Sequence, residues 1–328
     1  MKSKYFSLPI LLFTSFFLVS CNKDNKSYIS GSAFGSIYHI SINDIKDLDS
    51  LAIKSNIDFI LKNIDNSASN YNPNSEISNF NNSNTNSYTI VSSNLYNIIS
   101  EAKNASILTE GFFDITIGDI KIKKGFYVNT KKTSSRENNI FTYKDIQLSE
   151  DFSSIRKRNG LINVDLSGIA KGYAVDIIYN YLNSMNISDF VINIGGEIRT
   201  SSMNNTQKIY IDDPSKNSQY IEEIFLLNKS IASSGTYIDS VNYEGKEISH
   251  IINPKTLENI SNLNILVSVI HNKCSIADAL ATGLLAMDAN DIIKYSNMNN
   301  IASMLVIFDD SNIEKFYSEN FIKFLSAD

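Results

Sequence analysis

Apolar residues recur at helical spacing over residues 48–64, at Leu48, Leu51, Ala52, Ile57, Ile60, Leu61 and Ile64. That period predicts a helix, and residues 95–108, 169–182, 276–287 and 291–296 are read the same way. Residues 316–325 predict a closing helix. Residues 28–42 alternate weakly between apolar and polar positions around Gly31 and Gly35, as a bent or turned strand would. Short apolar runs at residues 161–166, 190–194, 209–212, 221–227, 263–270 and 303–308 predict further strands. Residues 70–86 read as a polar loop with an Asn72-Pro73 turn, anchored only by Ile77 and Phe80. Residues 121–159 carry the weakest pattern and predict hairpins or loops. Helices interspersed with strands, with no repeat and no linker, predict one mixed α/β or α+β unit.

The N-terminus departs from this pattern. Lys2 and Lys4 precede an apolar stretch from Phe6 to Val19, which ends in Leu18-Val19-Ser20-Cys21. It has the layout of a secretory signal and is short for a spanning helix. A small residue before a cysteine resembles the bacterial lipoprotein cleavage box, in which the cysteine is lipidated and becomes the new N-terminus. The expected division is therefore a cleaved signal at 1–20, a lipidated Cys21 with a polar tether at 21–30, and a domain at 31–328. An N-terminal membrane anchor is the alternative, and either places the rest of the chain outside the cytoplasm. With Cys21 lipidated, the other cysteine, Cys274, has no partner, so no intrachain disulfide is expected.

The 328 residues carry a net charge of −6, which argues against a general nucleic-acid binder. Loss of two lysines with the signal makes the mature chain still more acidic. Three histidines and two cysteines leave little material for a structural zinc site.

Several segments carry candidate chemistry. In LINVDLSGIAKGYAVD (161–176), Asp165 leaves a strand, Ser167 is placed to cap the helix that follows, and Lys171 lies near the end of its first turn. An acid and a base flanking free amides suit a nucleotide or phosphate, although strand-turn-helix units are common. In FVINIGGEIR (190–199) the Gly195-Gly196 pair marks a close approach to a ligand or to another strand. IASSGTY (231–237) reads as a small polar turn whose hydroxyls and amides could hold phosphate. Asp278 and Thr282 in IADALATG are four apart on one helix face, hard oxygen donors suited to Mg²⁺; the alternative is an acid complementing the helix dipole. Phe112, Phe113 and Asp114 lie between glycines as a stacking surface for a flat ring or as a buried aromatic pair. His250 in SHIINP precedes a turn set by Pro254, and alone it reads more readily as a satisfied structural histidine than as a catalytic one.

In order, GSAFGSIYHI, NYNPNSEISNFN, EGFFDITIGDI, VDLSGIAKGYAVD, VINIGGEIRTS, IASSGTY, SHIINP and SVIHNKCSIADALATGL resemble the bacterial ApbE family of FAD:protein FMN transferases over residues 31–290. The resemblance implies a single ApbE-type domain with mixed sheets packed by helices. It implies Mg²⁺-dependent cleavage of FAD, with FMN passed through a phosphoester to a Ser or Thr of an acceptor protein and AMP released. The acceptors it implies are flavoprotein subunits of membrane electron-transfer complexes. It assigns Asp278 and Thr282, with backbone oxygens at Gly168 and Ala281, to the metal, and His250 to the proton of the acceptor hydroxyl. Phe34, Tyr71, Phe112, Phe113, Asp114, Asp165, Lys171 and Ile252 match FAD-contacting positions. Two departures stand out. Phe34-Gly35-Ser36 replaces the usual Met-Gly-Thr, and Ile252-Asn253-Pro254 replaces Ile-Asp-Pro, which removes a charge unless that residue only closes the turn. Residues 121–160 align with nothing in the family. An FAD pyrophosphatase and a non-catalytic FAD-binding lipoprotein are the competing functions.

Overall fold

The computed structural model describes residues 26–43, 47–83, 86–127, 141–260, 264–309 and 312–326. Along the chain run strands β1 (Lys26–Ala33) and β2 (Ser36–Asn43), helices α1 (Asp47–Ala68) and α2 (Glu76–Asn82), strand β3 (Thr89–Ile90), and helices α3 (Ser93–Leu108) and α4 (Gly118–Lys123). Strands β4 (Ile146–Ser149) and β5 (Ser154–Lys157), helix α5 (Ala170–Ser184), and strands β6 (Phe190–Ile194), β7 (Glu197–Ser201), β8 (Gln207–Asp212) and β9 (Tyr220–Leu226) follow. Then come β10 (Ser230–Gly235), β11 (Ser240–Tyr243), β12 (Lys246–Ser249), β13 (Ile252–Asn253), β14 (Glu258–Asn259) and β15 (Ile265–His271). Helices α6 (Cys274–Leu285) and α7 (Ala289–Met298), strands β16 (Ala302–Phe308) and β17 (Ile313–Tyr317), and helix α8 (Glu319–Ile322) close the chain.

An antiparallel sheet in the order β1-β2-β6-β7-β10-β15-β16-β17 organises the molecule. One face is covered by helices. Ile53, Ile57, Leu61 and Ile64 of α1, Leu95, Ile98 and Ala102 of α3, Ile178 and Leu182 of α5, and Leu280 and Leu284 of α6 belong to one buried cluster with Val267 and Val269 of β15. The other face carries the β8–β9 hairpin and α8, through Ile209, Ile224, Leu226 and Phe321 against Leu266, Met304 and Val306. Because both faces of β15 are covered, its sequence is a nearly unbroken apolar run rather than an alternating one.

The fold agrees with a mixed α+β unit in one domain, and five local expectations need correction. Strand β1 includes residues 28–30, as their alternation predicts, and begins at Lys26, inside the expected tether. The polar loop at 70–86 contains helix α2, whose Ile77 and Phe80 are buried and whose cap is Ser75, accepting from Ser78 N. The polar turn at 231–237 is mostly strand β10. The closing helix is instead the end of β17 followed by the single turn of α8; Tyr317, Phe321 and Phe324 pack together without a continuous helix. The apolar run at 161–166 is extended but joins no sheet. Its ladder partner is replaced by side chains: Asn81 accepts from Val164 N and donates to Val164 O at 2.8 Å each, and Asn70 donates to Val164 O (2.7 Å) and accepts from Leu166 N (2.9 Å). Two primary amides act as a neighbouring strand would, satisfying buried backbone groups. The unpatterned stretch does hold the β4–β5 hairpin, and residues 128–140 lie outside the described residues.

Candidate active site

At one end of the large sheet the Phe34-Gly35 turn, the Gly195-Gly196 turn and the end of β10 meet the N-terminus of α5 and the Asp278–Thr282 side of α6. They enclose a cavity of about 940 Å³. Phe34, Tyr71, Phe112, Phe113, Asp114, Asp165, Gly168, Lys171, His250, Ile252, Asp278 and Thr282 all line it. Ala281 does not: it is buried within α6, between the two donors. Phe34 and Gly35 hold φ of 52° and 73°, so the β1–β2 turn is left-handed at both central positions and turns Phe34 toward the site.

The clipped segment 162–166 delivers Asp165 to the cavity wall. Its carboxylate accepts from Tyr127 Oη (2.7 Å) and Ser167 N (2.9 Å) and pairs with Lys121 Nζ at 2.6 Å. Burial works to raise the Asp165 pKa, but Lys121 and these hydrogen bonds outweigh it and hold it below its ordinary value. Ser167 is not the helix cap. Its hydroxyl accepts from Lys121 and bonds Asp165, and α5 begins at Ala170 without a side-chain cap. Gly168, Ala170 and Lys171 at this helix start line the cavity, and the amides of Ile169 and Ala170 donate to the Leu166 carbonyl. Lys121 and Tyr127 come from the stretch whose sequence suggested no site. No local spacing could have revealed them, because their partner lies 44 and 38 positions away.

Helix α6 is positioned by α5. Gly172 passes so close that a Cβ there would lie 2.5 Å from the Cys274 carbonyl oxygen. Asp176 accepts from the amides of Cys274 (2.9 Å) and Ser275 (3.0 Å), capping α6 from a neighbouring helix, and also pairs with Arg199. With that register fixed, Asp278 Oδ2 accepts from Gly172 N at 3.1 Å, and Thr282 Oγ1 lies 3.1 Å from Ser234 Oγ of β10. Gly168 is close enough that a Cβ would meet Thr282 Oγ1 at 2.9 Å. Burial raises the pKa of Asp278 above the carboxylate range, against the pull of Lys171. Among the described residues no three His, Cys, Asp or Glu side chains cluster as a metal cage. What the site offers in side chains is a buried carboxylate and two hydroxyls. That donor set fits a hard divalent cation that completes its shell with water and phosphate oxygens.

Glu197, which the sequence reading passed over, follows the Gly-Gly turn. Its Oε1 accepts from Lys171 Nζ at 2.8 Å. The signal was a single acid placed directly after a buried strand and a glycine turn.

His250 follows β12, and its Nδ1 lies 2.6 Å from the Ile238 carbonyl oxygen. A carbonyl only accepts, so the ring carries its proton on Nδ1 and Nε2 is left as an acceptor. Burial and the nearby Lys121 lower its pKa to about 4. Asn253 closes its turn: its side-chain oxygen accepts from the amides of Lys255 (2.9 Å) and Thr256 (3.4 Å), as an Asp would. The aromatic pair divides its work. Phe113 is buried, wedged where Gly168 and Gly283 leave room, while Phe112 is half-buried with Lys255 Nζ 3.6 Å from its ring centroid. Asp114 lines the cavity, but its oxygens are occupied by Thr116 N, Thr116 Oγ1 and Tyr143 N, all at 2.8 Å. Tyr71 meets Tyr127 edge-on, at 5.1 Å between centroids. Cys21 and the signal lie outside the described residues. Cys274 is a buried free thiol, and no helix among the described residues is long and apolar enough to cross a membrane.

The chain is similar throughout its length to proteins with this architecture. It is 31% identical over 320 residues to the FAD:protein FMN transferase of Vibrio cholerae, covering 94% of this chain and 96% of that one. It is 29% identical over 324 residues to the FAD:protein FMN transferase of Haemophilus influenzae, covering 93% and 94%. The solved structure of the Vibrio cholerae flavin transferase ApbE superposes with a TM-score of 0.76 at 28% identity, over 92% of this chain and 99% of that one. The Thermotoga maritima ApbE protein shares the fold, with a TM-score of 0.78 at 24% identity over 92% and 99%. The sequence pattern of the ApbE family matches residues 34–305, and the chain belongs to that family.

Proposed function

We propose that this chain is a Mg²⁺-dependent FAD:protein FMN transferase, exported and held at a membrane by lipid on Cys21. The single observation that carries the catalytic reading is the 2.6 Å bond from His250 Nδ1 to Ile238 O. It keeps Nε2 available as a base in the same cavity as the Asp278–Thr282 donor pair. The cavity lies near the top of the usual range for small-molecule sites, about 300–1,000 Å³, as a dinucleotide requires. Relatives named for this activity, at 31% and 29% identity over nearly whole chains, support the same substrate.

In this reading the oxygen of an acceptor Ser or Thr attacks the FMN phosphorus of FAD. The bond from that phosphorus to the bridging oxygen breaks, and AMP leaves. His250 Nε2 takes the acceptor proton. A Mg²⁺ held by Asp278, Thr282 and the Gly168 and Ala281 carbonyls would neutralise charge on the pyrophosphate oxygens. Lys171 lines the same cavity and would face the same anionic group. The acceptor class that fits is a flavoprotein subunit of a membrane electron-transfer complex. The test is to incubate the mature protein with FAD, Mg²⁺ and such a subunit and to weigh the subunit. A gain of one FMN phosphoryl with release of AMP supports transfer. FMN and AMP free in solution, with the subunit unchanged, makes the chain a pyrophosphatase.

A further inference from the structure

We propose that Glu197 is a positioning residue for the transfer, acting through Lys171. The inference rests on the transferase reading and adds a residue to it. Lys171 is the second residue of α5 and lines the cavity. Its long stem is flexible, so something must fix where its ammonium sits. Glu197 does this from a different element. The Gly195-Gly196 turn, with φ of 61° and 105°, reverses the chain sharply and places the first residue of β7 in the cavity wall. The Glu197 side chain is 2% exposed against 28% for Lys171, so the carboxylate is the buried anchor and the ammonium the presented group. The other carboxylate oxygen, Oε2, is buried without a hydrogen-bond partner. Burial raises the Glu197 pKa to about 8, and Lys171 is the cation that pulls against that rise. A carboxylate serving only the fold would have both oxygens satisfied by backbone or side-chain donors, as those of Asp176 are.

Coupling of this kind is measurable. Glu197→Gln preserves shape and removes the charge, Lys171→Met removes the ammonium, and the double variant removes both. FAD affinity is read by flavin fluorescence with EDTA present, so that FAD is not consumed. Single-turnover transfer is read with Mg²⁺, and each variant is melted. Glu197→Gln should weaken FAD or slow transfer by about ten-fold or more, as expected for loss of a hydrogen bond to a charged group. The double variant should be no worse than Lys171→Met, within about two-fold, because the two residues act as a unit. Glu197→Asp, which keeps the charge, should recover part of the loss. If the losses of the two single variants multiply in the double while all melt normally, or if Glu197→Asp recovers nothing with a normal melt, the positioning role is overturned. A wild-type chain that neither binds FAD nor transfers FMN overturns the transferase reading itself, and this role with it.

Discussion

Replacing Gly172 by Ala should destabilise the protein, although helix propensity argues the reverse. Gly172 lies inside α5, where Ala is favoured over Gly by about 1 kcal/mol. The added methyl would lie 2.5 Å from the Cys274 carbonyl oxygen, 2.7 Å from its carbon and 2.8 Å from Ser275 Cα. All three atoms are backbone, so no rotamer change relieves the clash and α6 must move away from α5. Overpacking of this kind costs about 1–3 kcal/mol. The displacement also strains Gly172 N–Asp278 Oδ2 and the Asp176 bonds to Cys274 N and Ser275 N, hydrogen bonds to charged acceptors worth about 1.5–3 kcal/mol each when lost. Even partial weakening of these bonds outweighs the propensity gain, for a net loss of about 1–3 kcal/mol. A chain of this size melts roughly 2 °C lower per kcal/mol, so calorimetry should show Tm falling by a few degrees. Because Asp278 moves with α6, transfer should also need more Mg²⁺. A Tm unchanged or raised, with an unchanged Mg²⁺ requirement, would refute the claim that the α5–α6 contact sets the site.

The remaining predictions concern the site and its attachment. Asp278→Ala should abolish turnover with the fold retained, and EDTA should reproduce the loss on the wild type; full turnover of the variant at ordinary Mg²⁺ would remove Asp278 from the metal. His250→Ala should slow single-turnover transfer by about 10²–10⁴-fold with FAD affinity little changed. Since burial and Lys121 lower the His250 pKa to about 4, its base form persists above that value and is lost as pH falls through it. An unperturbed histidine would titrate near pH ~6.5. The kcat/KM profile should therefore carry no His250-dependent limb between pH 6 and 8, and a limb near 6.5 that disappears in His250→Ala would contradict the burial argument. Cys21→Ser should release the protein from membranes, whereas a wild-type chain without lipid by mass spectrometry would end the anchoring proposal.

How much was legible in the sequence depends on distance along the chain. Asp278 and Thr282 could be paired from the helix period alone, because four residues of α helix fix their common face. The turn before α5 was equally local. Lys121 and Glu197 were not legible, since their partners Asp165 and Lys171 are reached only through the folded sheet and its helices. Strand β10 was missed for another reason. Its Ser233 and Ser234 are small and polar because they meet Ser268 of β15 and Thr282 of α6, at 2.7 and 3.1 Å, so packing suppressed the apolar alternation that marks a strand.

The run at residues 161–166 makes the same point most sharply, because its extended form was read correctly and its partners were not. An apolar run reports burial, and a buried extended segment must satisfy its backbone groups. A sheet is the usual means, but Asn70 and Asn81 serve here, each offering a donor and an acceptor as a peptide does. Both asparagines lie in what looked like a polar loop, whose polarity therefore has a structural use. Asn81→Ala would leave the amide of fully buried Val164 without an acceptor, and Asn70→Ala that of Leu166. Each should cost about 1–3 kcal/mol, the range for a stranded buried group. Asn→Asp at either position keeps the acceptor but sets a carboxylate against the Val164 carbonyl, so it should not restore stability. Since residues 162–166 carry Asp165 into the cavity, these variants should also weaken FAD binding, although neither touches the catalytic groups. A normal melt together with normal FAD affinity in Asn81→Ala would mean that the segment is held by its apolar side chains alone.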